Sequence, residues 1–61
     1  MGTRGIVARD IVDGETRLRT RKGDLIVRRV EPLKGDYVNI WFYGYELPIQ
    51  YSKYMTLHKV V

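Results

Sequence analysis

With 61 residues, eleven lysines and arginines against seven aspartates and glutamates, and a net charge of +4, the chain has room for one small domain whose basic surface favours acidic partners. It has no cysteine and a single histidine, His58, which excludes disulfides and thiolate metal sites and leaves too few ligands for a histidine-based zinc centre. No apolar run approaches the roughly 20 residues that span a bilayer, and the Met1–Gly5 start is not followed by a signal peptide's hydrophobic run. The expectation is a cytoplasmic domain covering residues 1–61, with no metal, cofactor or membrane partner.

Short apolar runs separated by turn residues about every ten positions give the pattern of a small all-β barrel or sandwich. The first strand is expected over Gly5 to Val12, closed by the turn dipeptide Asp13-Gly14. Thr16 to Arg21 alternates, with Arg17, Arg19 and Arg21 on one side and Thr16, Leu18 and Thr20 on the other. Lys22-Gly23-Asp24 turns the chain into a strand from Leu25 to Val30. Leu25, Ile26, Val27 and Val30 cannot all face one way there, so a β-bulge is expected near Arg28-Arg29. After a loop over Pro32 to Asp36, strands are expected over Tyr37 to Tyr43 and Tyr45 to Gln50, then a short 3₁₀-like connector over Tyr51 to Tyr54, and a last strand from Met55 to Val61. The core would hold Val38, Ile40, Phe42, Leu47, Ile49, Met55 and Leu57, with Leu18, Ile26 or Val27, and Val30. Lys53 and Lys59 would guard sheet edges. A core this small rarely supplies more than about 3–5 kcal/mol, so unusually good packing or a homo-oligomer contact is needed to complete it.

Two segments resemble the SH3 domain family. Leu18-Arg19-Thr20-Arg21-Lys22-Gly23-Asp24 followed by Leu25-Ile26-Val27 is similar to that family's Leu-Ser-Phe-Lys-Lys-Gly-Asp run and the strand after it. Tyr51-Ser52-Lys53-Tyr54-Met55 is similar to its Pro-Ser-Asn-Tyr-Val motif. The resemblance implies a five-stranded SH3-like barrel, with Tyr54 and Tyr37 at positions of the family's peptide groove. The groove motif itself departs: Arg9, Asp10, Ile11 and Val12 stand where its tyrosines would be, Tyr51 replaces its proline, and the normally acidic loop carries Arg17, Arg19, Arg21 and Lys22. Proline-peptide binding is therefore not implied, and barrels of this kind serve many functions.

The run Asn39-Ile40-Trp41-Phe42-Tyr43 places four apolar or aromatic residues in succession. With Ile40 and Phe42 inward, Tyr37, Asn39, Trp41 and Tyr43 face outward. Alternate arginines in an extended ribbon lie about 7 Å apart, close to the roughly 6–7 Å between phosphates along one nucleic-acid strand, and the guanidinium fork suits phosphate. Arg17, Arg19, Arg21, Lys22, Arg28 and Arg29 are thus candidate contacts for nucleic acid or another acidic partner. Tyr37, Trp41, Tyr43 and Tyr54 are candidate stacking residues. The competing reading is a protein-interaction module for a peptide or acidic protein surface, including self-association or inhibition of a host protein, because tyrosine, tryptophan and arginine are also preferred interface anchors. The plainer alternatives are a solvated charged ribbon and rings that merely flank a small core. An enzyme is not expected. Ser52 is the single serine, and nothing in the sequence pairs it with His58 as an activated nucleophile. Ile49-Gln50-Tyr51 only faintly resembles the Val-Gln-Ile-Tyr segment of the type II dihydrofolate reductases.

Overall fold

The computed structural model describes residues 2–11, 14 and 16–61. Its six strands are β1 (Thr3–Val7), β2 (Arg17–Thr20), β3 (Gly23–Pro32), β4 (Tyr37–Phe42), β5 (Ile49–Ser52) and β6 (Thr56–Val60). All pairings are antiparallel, and the order across the sheet is β1-β6-β2-β3-β4-β5. The fold is therefore all-β, with six strands rather than five. The count rises because the arginine-rich excursion forms its own strand, β2, which pairs with both β3 and β6.

The ten-residue β3 ties two halves of the sheet together. Its first half pairs with β2 and its second half with β4. The register shifts between Val27 and Arg29, so the bulge lies where the apolar pattern required it. The extra residue lets Val27 and Val30, three apart, both turn inward, as Val27 is buried and Val30 packs partly buried on the core. The core consists of Ala8, Ile11, Leu18, Val27, Val38, Ile40 and Phe42. On β4 the alternation is regular: Val38, Ile40 and Phe42 are buried, whereas Tyr37 is exposed and Asn39 and Trp41 are half-buried.

The chain departs from the sequence expectations at several places. The first strand stops at Val7, and Ala8–Asp10 form a 3₁₀ turn closed by the Ile11 N–H on the Ala8 carbonyl at 3.2 Å. Here the chain hooks over the β5–β6 turn, because Ala8 and Arg9 donate backbone hydrogen bonds to the Met55 and Lys53 carbonyls at 2.9 and 3.0 Å. Val12, Asp13 and Glu15, expected at the end of that strand and in the following turn, lie outside the described residues, as does Met1.

The fourth expected strand begins at Ile49 and not at Tyr45. Gly44 has φ +89°, a conformation that favours glycine. Tyr45 donates back to the Phe42 carbonyl at 3.2 Å, and Pro48 has no N–H for a ladder. As a consequence Leu47 is 79% exposed, not a core residue. Tyr51 and Ser52 belong to β5, so no 3₁₀ helix forms there; a turn closed by the Met55 N–H on the Ser52 carbonyl at 3.1 Å leads to β6. Met55 is 49% exposed, and Ile49 and Leu57 are only partly buried. Of the two alternatives Ile26 and Val27, Val27 fills the core and Ile26 is exposed, as the open choice allowed. Lastly, Lys59 guards no edge, since β6 lies between β1 and β2.

Candidate nucleic-acid interface

The β2–β3 connection is built locally. The Lys22 N–H donates to Thr20 Oγ1 at 3.1 Å, and that hydroxyl donates to the Gly23 carbonyl at 2.8 Å. Gly23 takes φ +104°, which an L side chain rarely adopts. The turn fixes the register Arg17↔Ile26, Leu18↔Leu25 and Arg19↔Asp24. Leu18 is buried and Arg17 and Arg19 are exposed, so these two arginines share the outer face. Arg21 follows the end of β2 and lies in the turn with Lys22. The expected row of three guanidiniums is thus a pair on the strand and a third residue in the turn.

Arg19 does not stand alone. It holds Asp24 in a two-pronged contact, with Nε to Oδ1 at 3.0 Å and Nη2 to Oδ2 at 3.4 Å. The hydrogen bond from Arg19 is the main reason the Asp24 carboxyl is held below its ordinary range, with smaller help from the charges of Arg19 and Arg17; the same contact raises Arg19. Both groups are exposed, so this pair orients side chains more than it stabilises the fold.

The bulge has a second effect, on the outer face. In a regular strand Arg28 and Arg29 would point to opposite sides; here both are exposed. Arg29 is the cross-strand partner of Trp41, and its guanidinium lies 5.0 Å from the centre of the Trp41 ring. Glu31, two residues along the same face, accepts from Arg29 Nη2 at 2.6 Å. Of the six candidate cations, only Arg19 and Arg29 have a carboxylate partner among the described residues. Arg17, Arg21, Lys22 and Arg28 have none there.

The four aromatic candidates do not form one continuous patch. Trp41 and Tyr37 lie on the outer face of β4, with Tyr37, 49% exposed, at the far end opposite Ser52 of β5. The polar row Glu31, Asn39 and Gln50 separates them. Tyr43, 55% exposed, follows the end of β4. Tyr54 is in the β5–β6 turn with the Arg9 guanidinium 5.5 Å from its ring centre. Sequence reasoning does not find Tyr45, whose ring lies 4.8 Å from the Lys22 ammonium. The two residues are far apart along the chain, and no periodicity links them. His58 is exposed on β6, opposite Arg19 on one side and Gly5 on the other.

Among the described residues there is no group of three or more acidic or histidine side chains able to hold a metal ion, and no helix is long and apolar enough to cross a membrane. Comparison with known proteins finds no matching family model, no matching curated protein and no matching solved structure.

Proposed function

We propose that this protein is a non-catalytic binding module of SH3-like build that holds single-stranded nucleic acid on the outer face of β2, β3 and β4. The SH3-like reading is supported by a two-part antiparallel sheet sharing one long bulged strand and by a last pair of strands interrupted only by a tight turn. The binding reading rests chiefly on the bulge, which turns Arg28 and Arg29 to solvent together and sets Arg29 against Trp41. A phosphate-binding fork and a stacking ring then occupy one spot, with Arg17 and Arg19 on the neighbouring strand. Arg28 and Arg17 have no carboxylate partner among the described residues. The carboxylates on Arg19 and Arg29 are exposed, so phosphate oxygens can replace them at small cost. No arrangement of donors here reads base edges, so binding is expected to be indifferent to sequence.

The test is anisotropy of a fluorophore-labelled oligothymidylate at several salt concentrations, with the native protein and with the Arg17→Ala/Arg28→Ala variant. Binding should weaken steeply with salt. The variant's salt slope should be shallower by about 0.7 for each phosphate of the single strand that it no longer neutralises. An unchanged slope in a folded variant would remove this face from the interface.

A further inference from the structure

A second surface shares Arg19 with the Arg29–Trp41 face but differs from it in character. A cleft of about 410 Å³ opens between the β2–β3 turn and the β5–β6 arm. Its apolar walls are Leu18, Ile49, Tyr51, Met55 and Leu57, and its cationic wall is Arg19, Arg21 and Lys22. No carboxylate among the described residues lines it. A second depression of about 460 Å³ adjoins it, sharing Lys22 and Ile49 and bounded by Leu25, Tyr45, Leu47 and Pro48, with the Glu46 carboxylate also in its lining. Met55 in the first depression and Tyr45 and Leu47 in the second are exposed large apolar side chains. β5, which supplies Ile49 and Tyr51, ends the sheet, and among the described residues no strand pairs with its far side.

We propose that this cleft docks an extended acidic segment of a partner protein, laid along the free edge of β5. Its apolar side chains enter the two depressions and its carboxylates meet Arg21 and Lys22. Four observations select this occupant. The unpaired edge of β5 offers main-chain donors and acceptors to an added strand, while alternate side chains find the pockets. The cationic wall and the absence of a lining carboxylate in the 410 Å³ cleft favour an anion-bearing ligand. A second copy of this chain is disfavoured, because a net charge of +4 and the same Arg21 and Lys22 would be brought together across a symmetric contact. Nucleic acid is disfavoured because the floor is aliphatic, with Tyr51 half-buried within it.

The experiment is an amide chemical-shift titration of the isotope-labelled 61-residue chain with three acetylated and amidated peptides: Glu-Leu-Glu-Leu-Glu, Lys-Leu-Lys-Leu-Lys and Glu-Ser-Glu-Ser-Glu. The expected result is saturable shifts at Leu18, Ile49, Gln50, Tyr51 and Leu57 with the first peptide, at least about tenfold weaker with either of the others. The Arg21→Glu/Lys22→Glu variant should reverse the preference toward the lysine peptide, a gain that unfolding cannot mimic. Equal responses to all three peptides, or no shifts in the cleft at millimolar peptide, would overturn the proposal. Concentration-dependent shifts at these residues without peptide would overturn it in favour of self-association. Displacement of the peptide from these amides by oligothymidylate would overturn it in favour of one nucleic-acid surface. Loss of oligonucleotide binding in the Arg17→Ala/Arg28→Ala variant with peptide binding intact separates the two surfaces.

Discussion

Arg29 and Trp41 face each other across β3 and β4, the guanidinium 5.0 Å from the ring centre. The relationship exists because a bulge between Val27 and Arg29 rotates the strand at the point where two successive arginines meet the outward Trp41 of β4. It makes Trp41 a half-buried ring with a cation beside it, neither a core ring nor a free one. Trp41→Ala should therefore cost about 1–2 kcal/mol, below the roughly 3–5 kcal/mol of a fully buried ring. Denaturant unfolding measures this, and a loss near the upper figure would show that Trp41 serves the core first.

Phe42, next to Trp41 in sequence, is fully buried. Phe42→Ala should cost about 3–5 kcal/mol, which equals the whole net stability expected of a domain this size. The variant should be largely unfolded by circular dichroism and near-ultraviolet signals. Leu47→Ala, at a position of core-like residue type that is nevertheless 79% exposed, should change stability by less than about 0.5 kcal/mol. Comparable losses at the two positions would contradict this division between core and surface.

Asp24 is held by Arg19, and its carboxyl titrates below the ordinary range. A lowered folded-state value means that its contribution to stability is present above the ordinary aspartate value of about 3.9 and is lost as pH falls through the lower folded value. Asp24→Asn should abolish that acid-side component. It should also release Arg19 and raise affinity for oligothymidylate, read by anisotropy at low salt. A fall in affinity would mean that Asp24 positions Arg19 for binding instead of competing with phosphate.

Burial raises Tyr51 above the ordinary tyrosine range. Its protonated form is favoured in the fold, so stability should decline as pH rises beyond about 10, where the unfolded chain ionises first. Tyr51 should ionise late in an ultraviolet titration, and Tyr51→Phe should remove that late step. Survival of the late step in the variant would assign it to another ring.

Much of the fold is legible in the sequence because period-two patterning is a direct consequence of strand geometry. Val38, Ile40 and Phe42 can be placed inward from the sequence alone, and the clash of parity between Val27 and Val30 locates the bulge. What escapes depends on contacts between segments remote in sequence. Leu47 and Met55 have the right residue types for a core, but Pro48, Gly44 and the turn at Ser52–Met55 hold them outside. The 3₁₀ turn at Ala8–Asp10 forms because that segment can bond to the Lys53 and Met55 carbonyls, a partnership no local pattern announces. At the candidate site, residue types reveal the basic and aromatic character of the surface. They suggest Asp24 as one partner for an arginine but do not reveal that Glu31 claims Arg29, or that Lys22 turns to Tyr45.

If Trp41 and the arginines beside the bulge form one nucleic-acid surface, the most direct test is to follow Trp41 emission as unlabelled single-stranded oligonucleotide is added. The protein has one tryptophan, so the signal reports that spot alone. Quenching that saturates at low salt and weakens steeply toward physiological salt is the predicted result. Absence of quenching at low salt, or quenching indifferent to salt, would contradict it.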